Sequence, residues 1–248
     1  MTITAPEPSR VAARGPALDP SDRRTARIAG VLFILTFVTA IAARILFDPA
    51  RNDADYIVGA GADTRVFLGA TMELLLIATN IGTAVVLFPI LRRQSEGLAL
   101  GYVTARLVEC SFIAVGLLSL LAVVTLRQDA AGADADQLVL AGQSLVAVYD
   151  WTFLFGPGFV AGLGNGLILG YLMYRSGLVP RRMAMIGLLG GPLLAATGLA
   201  VMFGAFETGS AAQGILSIPE IAWEASLGIY LTVWGFKASS PILSRSSR

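Results

Sequence analysis

Long apolar runs alternate with short polar segments along almost the whole chain. The first run, residues 27–47, reads RIAGVLFILTFVTAIAARILF, and five more follow at 66–91, 98–126, 144–174, 183–206 and 215–236. Each reaches the roughly 20 residues that an α-helix needs to cross the hydrocarbon core of a bilayer. The expected fold is all-α: a polytopic membrane helix bundle with six predicted transmembrane helices. The third and fourth runs are long enough to tilt or to project beyond the bilayer. Gly156-Pro157-Gly158 is expected to bend or break the fourth, and Pro192 the fifth.

The segments outside the runs set the domain division. Residues 1–27 are rich in Pro, Ala and Arg without an apolar period and read as a mobile cytoplasmic tail. Residues 28–236 form the membrane domain, and 237–248 a second short cytoplasmic tail. A cleaved signal peptide is the alternative for the start, because Arg23, Arg24 and Arg27 precede an apolar run that contains Ala40-Ile41-Ala42. The run continues to Phe47 and further spans follow, which favours a retained helix. No convincing internal repeat is visible.

Basic residues orient the bundle. Arg10, Arg14, Arg23, Arg24, Arg27, Arg92, Arg93, Arg175, Arg181, Arg182, Lys237, Arg245 and Arg248 fall on one side, 13 in all, and only Arg51, Arg65 and Arg127 on the other. The positive-inside rule then places both termini in the cytoplasm. The opposite face carries Asp48, Asp53, Asp55, Asp63, Asp129, Asp134, Asp136 and Glu207. Tyr102, Tyr171, Tyr174 and Trp234 near one set of ends, and Tyr149 and Trp151 near another, suit aromatic belts.

Composition strengthens this picture and removes several chemistries. Hydrophobic residues make up 55% of the 248 and charged residues only 14%, with a mean hydropathy of +0.72. An ordinary soluble domain carries about 25% charge. The net charge of +1 gives no reason to expect a nucleic-acid partner. The single cysteine, Cys110, lies in an apolar run and reads as a small buried thiol. Histidine is absent. One chain therefore cannot build a histidine-ligated zinc or haem site, or a Ser-His or Cys-His catalytic pair. No metal site and no cofactor are expected.

Glycines mark a packing face. Gly158, Gly162, Gly166 and Gly170 recur every four residues in GPGFVAGLGNGLILG. Helical periodicity puts them on one side, where a neighbouring backbone can approach and Asn165 can hydrogen-bond across the contact. The partner can be intramolecular, so the stripe leaves the oligomeric state open. The run lacks the strand and lysine of a phosphate loop.

Seven charged residues lie within the apolar runs or near their ends, and charge at bilayer depth is costly. Arg44 is expected to snorkel to headgroups or pair with an acid. Arg106 and Glu109 have the i,i+3 spacing of a structural ion pair. Asp150 sits between Tyr149 and Trp151, at an interface or in a site. Glu220 closes Ser-Ile-Pro-Glu from Ser217, the spacing of a capping box. Glu73, Asn80 and Glu224 occupy deeper positions without an adjacent basic residue. The binding or coupling candidates are thus Glu73, Asn80, Glu224, Glu220 and Asp150, with Glu73 and Glu224 expected to lie near each other or near a shared cavity. The runs hold five acids against two arginines, and mutual repulsion in a low dielectric opposes full ionisation. A proton, a cation or solvent access would relieve it.

The stretches RIAGVLFILTFVTAIAA, GATMELLLIATNIGTAVVLFPILRRQSEGLALGYVTARLVEC and IPEIAWEASLGIYLTVWGF resemble a bacterial membrane-protein family of unknown function catalogued under number 4386. The resemblance runs from about Arg23 to Phe236 and implies a compact multispanning bundle. It carries no substrate and no catalytic residue.

The residues point first to small-solute or ion transport, or sensing, through a buried acidic centre. The expected partners are the lipid bilayer and a small solute, proton or cation. A structural or accessory membrane protein is the second class, and a histidine-independent intramembrane enzyme using a carboxylate pair the third. No HExxH stands in the chain to support the enzyme class.

Overall fold

The computed structural model describes residues 18–53, 55–59, 63–129 and 131–244, and every regular element among them is helical. Helix α1 (Pro20–Leu46) starts on Asp19, whose carboxylate accepts from the Ser21 amide at 2.8 Å, with proline in the first turn. Both features satisfy or remove orphan amide donors at a helix start. Residues 20–27, assigned above to the tail, extend this helix; residues 1–17 of that tail lie outside the described residues. Buried Asp22 faces Arg93 at 3.3 Å and ties the start of α1 to the far end of a neighbour.

Short α2 (Asp48–Asn52) follows, then α3 (Asp63–Leu91) and α4 (Glu96–Gln128). The fourth long element runs without a break from Ala135 to Ser176 as α5 (Ala135–Phe153), two π-helical stretches (Leu154–Val160 and Gly162–Leu169) and α6 (Gly170–Ser176). The expected bend or break at Gly156-Pro157-Gly158 takes the form of these widened turns. A π turn shifts the hydrogen-bond register, so the helix absorbs a proline and continues. Helix α6 stops on Gly177, whose φ of 63° suits glycine. Helix α7 (Arg181–Met202) continues through exposed Pro192.

Helix α8 (Ala211–Val233) begins at Ser210, whose hydroxyl accepts from the Gln213 amide. The capping-box reading of Ser217 and Glu220 is therefore corrected. Ser217 lies inside the helix and donates to the Gln213 carbonyl at 2.8 Å. After α8 the chain folds back: the Lys237 amide donates to Leu178 O at 2.8 Å and the Ser240 hydroxyl to Ser176 O at 2.7 Å. Short α9 (Pro241–Ser244) follows, with Ile242 and Leu243 in the core. Residues 245–248 of the C-terminal tail lie outside the described residues.

Neighbours in sequence are neighbours in space. Helix α1 packs on α3, α3 on α4, α4 on α5 and the π-helical stretches, these on α7, and α7 on α8. Helix α8 returns to α1 and closes a ring of six. Five of the six are long and apolar enough to cross a membrane; α8 has 23 residues but contains Glu220 and Glu224, which lower its hydropathy. The protein is a multi-pass membrane helix bundle. Its outward faces are apolar, with Leu118 at 65% and Leu189 at 69% exposure, as lipid contact requires and water does not favour.

Two apolar clusters pack between the helices. One, at the chain's N-terminal end of α1, gathers Ala29, Phe33, Leu87, Tyr102, Leu172 and Trp223. The other, at the opposite end, gathers Phe47, Val66, Leu120, Val124 and Tyr149.

Candidate functional site

A cavity of about 730 Å³ occupies the ring, and all six long helices contribute to its wall. Its rim includes exposed Asn52, Thr208 and Gly209. The other end is closed where α1 meets α8. A Cβ on Gly30 would stand 2.5 Å from the Thr232 amide nitrogen and 2.7 Å from Gly228 O. Glycine thus lets the two backbones touch there. Further along they diverge, and Phe37, Ala40, Gln213 and Ser217 face the space between them. The result is a vestibule open at one end.

Arg106 and Glu109 of α4 stand deep in its wall. The guanidinium donates from Nη1 to Glu109 Oε2 at 2.8 Å, with both side chains almost wholly buried. Asn80 of α3 donates to the other Glu109 oxygen at 3.2 Å. Glu109 is therefore satisfied twice over. Arg106 also lies over the Phe33 ring, 5.6 Å from its centroid. Its remaining Nε and Nη2 are buried with no protein hydrogen-bond partner.

Opposite stand Glu220 and Glu224, one turn apart on α8. Glu224 is half-buried and accepts from the Asn165 amide, while the Trp223 indole between them donates to Asn165 O at 3.0 Å. Glu220 is 3% exposed, lines the cavity, and neither carboxylate oxygen has a protein partner. Glycines make its seat. A Cβ on Gly166 would meet the Gly191 backbone and come within 2.5 Å of Glu220 Oε2; one on Gly190 would come within 2.7 Å of the Glu220 amide nitrogen.

The glycine stripe faces α7 in part. Gly162 abuts the Gly191 carbonyl, Gly166 the Gly191 backbone, and Gly170 the Leu188 amide, whereas Gly158 turns to the cavity wall. The π turns rotate the helix between Gly158 and the others, so one stripe serves two surfaces.

The remaining candidates cluster elsewhere. Asp150 accepts from Arg51 at 2.5 Å at the cavity wall, and Arg51 lies 5.2 Å over the Tyr149 ring. A smaller pocket of about 260 Å³ also borders this ion pair. Glu73 is fully buried and accepts from the Tyr149 hydroxyl at 2.7 Å; it does not line the main cavity. The structure brings Asn80, Asp150, Glu220 and Glu224 to one space and leaves Glu73 outside it. The expected shared cavity of Glu73 and Glu224 is thus corrected, because Glu73 turns toward α5 and Glu224 toward the π-helical stretch. Arg44 lines the cavity near its rim, exposed. Cys110 is buried beside Ile77 O.

Outside the spans, Tyr56 donates to Asp63 at 2.8 Å; burial, then this bond, raises its phenol above the ordinary range. Arg127 pairs with Asp63 at 2.6 Å and bolts α4 to α3. Among the described residues no group of three His, Cys, Asp or Glu is placed to hold a metal ion.

A family model matches residues 28–235, nearly the whole membrane bundle. The chain belongs to the family described as Domain of unknown function (DUF4386). No curated protein and no solved structure matches it. In this DUF4386 protein one functional candidate escaped sequence reading, and a second was read as a hydrogen-bonding packing residue without its partner. Arg51 counts as a loop cation until α2 folds it onto Asp150. Asn165 reads as a packing residue until its amide meets Glu224; an amide inside a glycine-rich membrane helix was the available signal.

Proposed function

We propose that this protein binds a small polar solute in its vestibule, for transport or sensing, as a six-span protein of the bacterial inner membrane with both termini cytoplasmic. The observation that carries the reading is Glu220. A carboxylate buried in a wide cavity without a partner costs several kcal/mol, and such a cost is retained where a ligand or its counter-charge offsets it. A structural or accessory role would favour a dry, fully paired bundle instead. The π-helical stretch at the wall adds support, because such turns occur frequently at functional sites. Helix α8 is read as the sixth span: its 23 residues suffice for the hydrocarbon, and its acids face the ring interior rather than lipid. The 13 basic residues on the side of the termini set the orientation, so the vestibule opens outward.

The test is labelling in intact cells. Ser217→Cys, in the cavity wall, should react with a membrane-impermeant maleimide, and Asp53→Cys at the rim side should react faster. The parent protein with only buried Cys110 should stay unlabelled. A folded Ser217→Cys protein that resists the reagent from outside would remove the open vestibule. Labelling only in inverted vesicles would reverse the orientation.

A further inference from the structure

We infer that the solute is a small zwitterion bearing one ammonium and one carboxylate, held between Glu220 and Arg106. The inference rests on the vestibule reading and names its ligand class. Two residues that line the same cavity carry unsatisfied buried groups, which a ligand would reach by a small side-chain shift. Arg106 offers Nε–H and Nη2–H, both buried and unpartnered, while Nη1 is committed to Glu109. Those two free donors lie on one edge of the planar guanidinium. They form the fork that matches the two oxygens of a carboxylate. As a carboxylate, Glu220 offers two unpartnered acceptors and no donor. An ammonium supplies three donors and the opposite charge.

The neighbouring charges fit this division. Three arginines (Arg44, Arg51, Arg106) and four acids (Glu109, Asp150, Glu220, Glu224) line the cavity. Asp150 and Glu109 are paired, and Glu224 has its Asn165 amide. A simple cation would answer Glu220 and leave the Arg106 fork empty. A simple anion would answer the fork and meet repulsion from Glu220. A neutral polyol answers both, without the charge pairing that makes such contacts strong in a low dielectric. A zwitterion satisfies both and adds no net charge to the bundle. Glu220 and Arg106 come from different helices, α8 and α4, so the ligand would bridge the ring.

The test uses the full chain in nanodiscs and calorimetric binding of three zwitterions of increasing length: glycine, β-alanine and 4-aminobutyrate. Propylamine and propionate serve as single-charge probes. At least one zwitterion should bind about tenfold or more tightly than either single-charge probe. Glu220→Gln should bring that zwitterion down to the level of propionate. Arg106→Lys keeps the charge beside Glu109 but loses the fork, and should bring it down to the level of propylamine. The inference is overturned if propylamine binds as tightly as the best zwitterion, or if Glu220→Gln binds like the parent. It is also overturned if none of the three zwitterions binds while Ser217→Cys still labels; in all these cases the vestibule reading survives. Absence of binding together with a Ser217→Cys protein that does not label removes both.

Discussion

Glu73 and Glu220 are both glutamates buried inside the same ring of helices, and they have opposite surroundings. Glu73 is shut between α3 and α5. The Tyr149 hydroxyl donates to one of its oxygens, Arg51 lies over the Tyr149 ring, and an apolar cluster closes around them. Glu220 stands in the cavity wall among glycines of two other elements and has no protein donor at all. Burial alone is therefore a poor guide to function in a membrane bundle. What separates the two acids is how far the protein supplies their partners: Glu73 Oε1 has the Tyr149 hydroxyl and only its Oε2 is unpartnered, whereas both oxygens of Glu220 are. A supplied partner turns a buried acid into a helix clamp, and a missing one leaves it available to something that enters.

Four substitutions would break or sharpen this contrast, and stability in detergent reads each of them. The largest effect is expected from Arg106→Met. It strands Glu109 in the deep wall with only the Asn80 amide, and breaking a buried pair by removing one member costs about 3–5 kcal/mol. The melting temperature should fall sharply; an unchanged value would mean the pair contributes nothing to the bundle.

Gly166→Leu comes next. The new side chain has no room between the π-helical stretch and Gly191 and would also displace Glu220, so overpacking of about 1–3 kcal/mol or more is expected. The control is Gly97→Leu, at a position where a Cβ would meet no atom within 4 Å. Equal melting of the two proteins would remove the glycine contact from the account of the fold.

Tyr149→Phe tests the clamp itself. It removes the donor of Glu73 while keeping the ring that packs on Phe47 and under Arg51, and should cost about 1–3 kcal/mol. Because Glu73 lies outside the cavity, labelling of Ser217→Cys should be unaffected. A change in labelling with no loss of stability would place Glu73 in the functional path after all.

Glu220→Gln should have the smallest effect on stability. It replaces an unpartnered buried carboxyl with an amide of similar size that carries no charge, so the melting temperature should hold or rise. A marked fall would show that Glu220 has a structural partner and is a second clamp like Glu73.

Much of the fold was legible in the chain. Apolar length located the long helices, five of which are long and apolar enough to cross a membrane; α8 was located by length although its glutamates lower its hydropathy. The edges were less legible. Residues 20–27 look like tail by composition, yet Asp19 caps a helix over them and Asp22 finds Arg93. Ser217 and Glu220 carry the spacing of a cap, yet the helix had already started at Ser210. Local spacing cannot tell a cap from a helix interior when the flanking residues also favour helix.

The site was legible in its parts and not in its assembly. Every candidate acid was visible, since a charge within an apolar run stands out. The i,i+3 pairing of Arg106 and Glu109 could be read because it lies within one helix. Pairings between helices could not: Tyr149 with Glu73, Arg51 with Asp150 and Asn165 with Glu224 join residues far apart in the chain.

The amino-acid sequence by itself determined that this is a membrane bundle, roughly where its helices lie, most of the charges they bury and part of the glycine face that brings backbones together. These follow from hydrophobicity and helical period, which act within one segment. Only the tertiary structure decided that α8 closes the ring on α1, that α1 and α8 touch at one end and part at the other, and that Glu73 is sealed while Glu220 faces a cavity. Those outcomes depend on how six helices rotate and cross, and the rotation is set by contacts between segments that no local pattern records.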